Sequence, residues 1–193
     1  MLIEDCCESM GAKYKDKYIG SFGRIASFSF YYSHHITTLE GGICVTDDHE
    51  LSEMMRIVRA HGWVRQVENK NKWIEMYKDF DPKFLFVNDG YNLRITEPQA
   101  AMGLLQIDKI DKFIDNRKSN AKKYYNELKS LGDFFSFQTT TKHSENSHFG
   151  FPMIVKNNKY FSRDEICTYL NNCGIETRPI IAGNLARHPA TNL

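Results

Sequence analysis

The chain has 193 residues, 41% of them hydrophobic and 25% charged, with 25 basic and 24 acidic side chains leaving a formal charge of +1. So even a balance gives no electrostatic footprint for nucleic acid or an anionic membrane, and no apolar run approaches the about 20 residues of a membrane span. Five cysteines (Cys6, Cys7, Cys44, Cys167 and Cys173) are odd in number and follow no framework spacing, which reads as reduced thiols rather than a disulfide set. The long cysteine-free stretch from Val45 to Ile166 argues against a four-thiolate iron-sulfur cluster or a thiolate zinc site. Glu4 and Asp5 stand where a signal peptide would carry its basic and apolar regions, so none is visible.

In chain order, Met1 to Ile3 reads as the end of a buried strand that delivers Asp5 at its C-terminal edge, where open α/β sheets place their ligands. Tyr14-Lys15-Asp16-Lys17-Tyr18 reads as a tight hairpin. Ile25 to Phe30 and Gly42 to Thr46 are short strands bracketing a loop that carries His34 and His35, a usual setting for catalytic groups. Asp47 or Asp48 caps a helix running to about Ala60, with Leu51, Met54, Met55 and Val58 on one face. Residues 63 to 88 are aromatic and charged without clear periodicity, and are expected to be ordered but irregular.

Further on, Thr96 with Glu97, Pro98 and Gln99 reads as the cap of a helix to about Ile107. A second helix is expected from about Lys109 to Leu131, a strand over Phe149 to Val155, a capped helix over Ser162 to Asn172, and a strand over Ile175 to Ile181. No internal repeat or low-complexity tract is present.

Four stretches carry chemistry. Residues 28 to 42 read Phe-Ser-Phe-Tyr-Tyr-Ser-His-His-Ile-Thr-Thr-Leu-Glu-Gly-Gly; residues 3 to 12 read Ile-Glu-Asp-Cys-Cys-Glu-Ser-Met-Gly-Ala. Residues 89 to 103 read Asp-Gly-Tyr-Asn-Leu-Arg-Ile-Thr-Glu-Pro-Gln-Ala-Ala-Met-Gly, and 174 to 185 read Gly-Ile-Glu-Thr-Arg-Pro-Ile-Ile-Ala-Gly-Asn-Leu. In this order and spacing they resemble the DegT/StrS-type family of fold-type-I pyridoxal-phosphate sugar aminotransferases and dehydratases. In its aminotransferases the first stretch carries a Schiff-base lysine before Thr-Thr and Gly-Gly; here that slot holds His34. The substitution is similar to a small histidine-bearing subgroup, the 3-dehydratases of nucleotide-linked 4-keto-6-deoxy sugars, and above all to those acting on GDP-4-keto-6-deoxy-D-mannose, although a CDP-linked substrate stays open.

The resemblance implies an α/β chain of the aspartate aminotransferase-like fold type I: residues 1–108 as the C-terminal part of a large cofactor-binding domain, and 109–193 as a linking helix with an incomplete small α+β domain. Relatives carry, further upstream, an aromatic that stacks on the cofactor ring and a Gly-Ser or Gly-Thr turn that binds its phosphate. Nothing here matches those elements, so the expectation is a fragment that is inactive by itself. Pyridoxal or pyridoxamine 5'-phosphate is the implied cofactor, with no iron-sulfur cluster. The implied partners are a nucleotide sugar, glutamate as amino donor, and a second subunit in a homodimer with shared active sites; the implied location is the cytoplasm.

Residue by residue, the resemblance places His34 as the base, Asp5 on the pyridine nitrogen, Glu8 where the family has a glutamine, Ser29 on the phosphate, and Asn92 on the partner subunit's cofactor phosphate. A carboxylate suits the first of these binding roles, because it favours the protonated ring nitrogen that makes the heterocycle an electron sink. His35, His61, Arg178 and Asn184 are candidate substrate ligands. Each has a plainer reading: His35 as a supporting or merely solvated side chain, His61 as a partner of a helix C-terminus, and Arg178 in a salt bridge, with the same uncertainty at Asn184. Two other readings of the whole chain stay open: an aminotransferase that recruits another lysine, Lys17 and Lys70 being nearest, and a non-catalytic sugar-binding homologue.

Overall fold

The computed structural model describes residues 1–180 and 183–191, which form two compact units: residues 1–119 with 140–149, and residues 120–139 with the described residues from 150 onward.

In the first unit, strand β1 (Ile3–Asp5) runs parallel to β4 (Ile25–Ser29), with Asp5 opposite Ser27. β5 (Gly42–Val45) returns antiparallel to β4, with Ser29 opposite Gly42, so the sheet order is β1-β4-β5. Ala26 lies fully buried at its centre. The expected burial of β1 is not observed: Ile3 is 60% exposed, and among the described residues the strand pairs with β4 alone, at the sheet edge. Between β1 and β4, the hairpin of β2 (Lys13–Tyr14) and β3 (Lys17–Tyr18) forms as expected, with Lys15 and Asp16 at positive φ. The Glu4 carboxylate accepts the amides of Gly20, Phe22 and Gly23 and so anchors the loop before β4. Partial burial works against ionisation there, but these amides outweigh it and hold the carboxyl below its ordinary range.

Helix α1 (His49–Val58) starts at Asp48, whose Oδ1 accepts the amide of Leu51 at 3.0 Å and whose Oδ2 pairs with Arg24 at 2.7 Å. Its inner face builds the main core: Ile57 packs with Val64, Val67 and Leu85, flanked by Met54, Trp73, Ile74 and Val87. Residues 63 to 88 are therefore ordered, as expected, but not irregular throughout. They contain helix α2 (Lys70–Met76) and 3-10 turns at Val64–Gln66 and Pro82–Phe84. The apolar residues are too few and too short-ranged to show a period, and what they satisfy is the core against α1.

Helix α3 (Glu97–Ile107) opens on a reciprocal cap, the Gln99 side-chain carbonyl accepting from Thr96 N at 3.0 Å and Thr96 Oγ1 at 2.8 Å. Helix α4 (Ile110–Leu128) follows and ends in a 3-10 turn, Lys129–Leu131.

In the second unit, the strand expected over Phe149 to Val155 shortens to β8 (Met153–Val155), since Pro152 has no N–H to offer a ladder. It pairs antiparallel with β6 (Phe135–Phe137), an alternating Phe-Ser-Phe triplet too short to read in the sequence. Between these two, and in the first unit, β7 (Ser144–Glu145) adds to β2. Helix α5 (Arg163–Asn172) begins with a capping box between Ser162 and Glu165. Residues 175 to 180 form no strand, contrary to expectation, and Ile181 lies outside the described residues. Pro179 lacks a donor, while Thr177 N and Oγ1 donate to Asn171 Oδ1, tying the segment to α5 instead.

Candidate functional site

The parallel pair β1 and β4 ends with polar groups side by side. Asp5 Oδ1 accepts the amide of Cys7 at 3.1 Å. The Cys7 thiol and then its amide hold the Asp5 carboxyl below its ordinary range, against a desolvation cost, with a further contribution from the positive charge His34 can carry. The thiol also lies 3.9 Å from Ser27 Oγ, opposite Asp5 in the sheet. At the end of β4, Ser29 Oγ accepts the amide of Tyr31 at 3.2 Å, which turns the chain out of the strand.

The loop that follows is closed by main-chain bonds. His34 N donates to Tyr31 O at 3.0 Å, Thr38 N to Phe30 O at 2.9 Å, and Phe30 N to Gly41 O at 2.9 Å. Thr38, fully buried, donates through Oγ1 to Glu40 O at 2.7 Å, and Gln99 Nε2 from α3 donates to the same carbonyl at 2.9 Å. A Cβ on Gly42 would stand 2.6 Å from Phe28 O, so the approach of β5 to β4 requires glycine there, while Gly41 has φ +138° and a Cβ on it would stand 2.7 Å from Thr38 Oγ1.

His34 is half-buried between two aromatic rings, edge-on to Tyr31 (centroids 5.9 Å, 83°) and to Phe149 (5.1 Å, 79°). Its Nδ1 is buried without a hydrogen-bond partner, whereas Nε2 is not enclosed in that way. His35 is only 3% exposed, with Nε2 3.4 Å from Ser147 O, which excludes the merely solvated alternative. Burial, and after it the positive charge of Arg117, pushes its pKa down to about 4. A neutral ring with its proton on Nε2 donates to the Ser147 carbonyl and leaves only a lone pair orphaned on Nδ1.

Elsewhere in this unit, Glu8 is exposed in the turn after β1. His61 and Asn92 meet through an antiparallel bridge between Ala60 and Asn92, and His61 N donates to Tyr91 O at 2.8 Å. Between them stands Arg94, which sequence reasoning passed over: Nε and Nη2 both donate to Asn92 Oδ1 at 3.3 Å, and Nη2 lies 3.4 Å from His61 Nε2. Its only signal in the sequence is its place two residues after Asn92. Arg178 and Asn184 belong to the second unit. Arg178 Nε donates to Glu176 Oε1 at 2.9 Å, and Asn184 Oδ1 caps a 3-10 turn through Ala186 N at 3.0 Å.

An ionised strand-end carboxylate, a strand-end hydroxyl and a loop imidazole with an orphaned nitrogen make a donor set that fits a heterocycle with a basic ring nitrogen and an anionic arm. The class is that of an α/β protein with its polar groups gathered at the C-terminal ends of parallel strands.

Residues 1–192 match the DegT/DnrJ/EryC1/StrS aminotransferase family, and the chain belongs to that family. It is 41% identical over 190 residues to a GDP-4-keto-6-deoxy-D-mannose 3-dehydratase of Escherichia coli O55:H7, covering 97% of this chain and 48% of the relative. It is 35% identical over 200 residues to the lipopolysaccharide biosynthesis protein RfbH of Salmonella typhimurium, covering 97% of this chain and 45% of that one. Among solved structures, E. coli GDP-4-keto-6-deoxy-D-mannose-3-dehydratase with bound hydrated PLP superposes with a TM-score of 0.87 at 40% identity, over 97% of this chain and 48% of that chain. A family aminotransferase from Brucella abortus, 23% identical, shares the fold with a TM-score of 0.79 over 98% of this chain and 45% of that one. The chain thus spans about half the length of the curated relatives it matches.

Proposed function

We propose that this chain carries the proton-transfer half of a pyridoxal/pyridoxamine 5'-phosphate site that removes the 3-hydroxyl of a nucleotide-linked 4-keto-6-deoxyhexose, a GDP-sugar first among the candidates. The observation that carries the reading is His34: an imidazole in the lysine slot, on the loop between β4 and β5 and near enough to Asp5 for its charge to be felt there. The similarity to 3-dehydratases supports the choice of reaction.

Asp5, kept ionised by Cys7, holds a proton on the ring nitrogen. Ser29 Oγ would donate to the phosphate, and Asn92 would serve the phosphate bound by a second subunit of a homodimer. When bound there, the cofactor would supply an electron sink through which the 3-hydroxyl of the sugar could depart. His34 would act as the base, its Nε2 receiving the proton. An imidazole can serve as a base near neutral pH, and unlike a lysine it cannot tether the aldehyde form. The proposed products are the 3-deoxy sugar and ammonia, with glutamate as the amino donor. Within the first unit, Glu8 would serve the ring, His35 would support His34, and His61 would serve the nucleotide sugar; Arg178 and Asn184, on the second unit, are proposed separately as substrate ligands. A place in deoxysugar and O-antigen lipopolysaccharide synthesis, in the cytoplasm, goes with this reading; no helix among the described residues is long and apolar enough to cross a membrane.

Neither nearby lysine favours the aminotransferase reading. Lys17 Nζ donates to Ser21 O at 2.7 Å in the hairpin loop, and Lys70 opens α2. The test is borohydride reduction of the holoenzyme followed by peptide mapping. Wild-type protein is expected to leave no cofactor on a lysine, and His34→Lys to gain one at position 34; a wild-type lysine adduct overturns the proposal. His34→Asn is expected to lower ammonia release from keto-sugar and glutamate by roughly 10²- to 10⁴-fold.

A further inference from the structure

We infer that Arg117 and Phe149 are positioning residues for His34, a clamp that sets the imidazole from the far side of the loop; this rests on the reading of His34 as the base. Arg117 stands on α4, outside every motif of the sequence, and is partly buried. Its Nη1 donates to two successive carbonyls, His148 O at 3.2 Å and Phe149 O at 2.8 Å. One guanidinium thereby fixes the main chain on both sides of the peptide that presents the Phe149 ring. That ring is the nearer of the two aromatics on His34 and also lies 6.2 Å from His35.

The same segment is held at three further points. Asn146 Oδ1 accepts the amide of His148 at 2.7 Å, the Ser147 carbonyl meets His35 Nε2, and β7 binds the stretch to β2 through Ser144 and Glu145. α4 is itself seated by Ile114, which fills the space over Gly11 that a Cβ would occupy.

Among the described residues, no hydrogen bond fixes the His34 ring: Nδ1 is orphaned, and the edges of Tyr31 and Phe149 confine it. A base without an orienting carboxylate or carbonyl depends on packing for its direction, and a misplacement of about 1 Å costs on the order of 100-fold in rate. The clamp supplies that direction. Arg117 also disfavours a charge on the neighbouring His35, so a single cation both holds the segment and keeps a second positive charge away from His34.

The experiment has two arms on Arg117→Gln, Arg117→Lys and Phe149→Leu, with folding checked by circular dichroism. In the first, proton NMR of the chain follows the His34 ring resonances, assigned with His34→Gln, whose positions carry the ring current of Phe149. Arg117→Gln is expected to move them toward those of Phe149→Leu although Phe149 is still present, while Arg117→Lys, which can reach the same carbonyls, keeps most of the wild-type position. In the second, steady-state kinetics of the holoenzyme are expected to show kcat reduced roughly 10- to 100-fold in Arg117→Gln and Phe149→Leu with KM within about twofold, and partial rescue in Arg117→Lys. Unmoved His34 resonances in Arg117→Gln overturn the clamp. Moved resonances with unchanged kcat show that ring position does not matter to rate and overturn it equally. If Arg117→Gln does not fold, Phe149→Leu and Arg117→Lys decide both arms. Failure of the underlying reading is separate: it appears as full activity in His34→Asn, whatever the NMR arm gives.

Discussion

His35 and His34 are adjacent in sequence and opposite in circumstance. His35 is enclosed by Ser147, Phe149 and the charge of Arg117, and is neutral down to about pH 4. An unfolded histidine gains its proton near pH 6.5, so between those values the unfolded chain binds more protons than the folded one. Stability is therefore fully present above about pH 6.5 and is lost as the pH falls toward 4, by up to about 3 kcal/mol for this residue. Urea unfolding of wild type and His35→Gln at several pH values measures this directly. The variant is expected to be less stable at pH 7.5 and to show a flatter decline between pH 6.5 and 4; parallel slopes for the two proteins contradict the assignment. His34 differs because its environment is aromatic and partly open, leaving one nitrogen for chemistry.

At the scale of elements, the turn from α1 into the segment that follows depends on backbone approaches a side chain cannot enter. Gly62 has φ +83°, and a Cβ there would stand 1.7 Å from Asn88 O. Its amide donates to Ile57 O at 2.9 Å, and its carbonyl accepts from Val87 N at 2.9 Å. The position thus joins the α1 core to the strand-like run that leads to Asn92. Gly62→Ala is expected to cost at least about 2 kcal/mol, from strain and main-chain displacement together. The measure is the urea midpoint relative to wild type, and a change within about 0.5 kcal/mol contradicts the argument. This junction was legible only in part. A cap at Asp47 or Asp48 and Met54 follow from spacing, but Ile57, the buried core residue of α1, lies outside the face that spacing marks, and the partners of Val64 and Leu85 leave no sign, because a core among short turns has no period to read.

For the whole molecule, large apolar side chains stay exposed on the stretch that carries Asn92: Tyr91 is 65% and Leu93 69% exposed. If Asn92 serves a phosphate bound by a second subunit, its neighbours must lie in the same contact, and apolar groups at its centre carry much of an interface's energy. Leu93→Glu is expected to shift the holoenzyme from dimer to monomer in sedimentation velocity, with the secondary structure retained. An unchanged sedimentation coefficient would place the contact elsewhere.

By itself the sequence determined the family, the positions of β4, β5, α1, α3 and α5, and the histidine in the lysine slot, since motifs, caps and strand patterns are local and leave their mark within a few residues. The tertiary structure decided the rest: the exposure of β1, the β6 to β8 pairing, the loss of the strand after α5, and the neutrality of His35. It also brought Arg94 to His61 and Asn92, and Arg117 through Phe149 to His34. Burial, desolvation and ring packing depend on residues far apart in the chain, and a carbonyl gripped from another helix leaves no pattern in sequence.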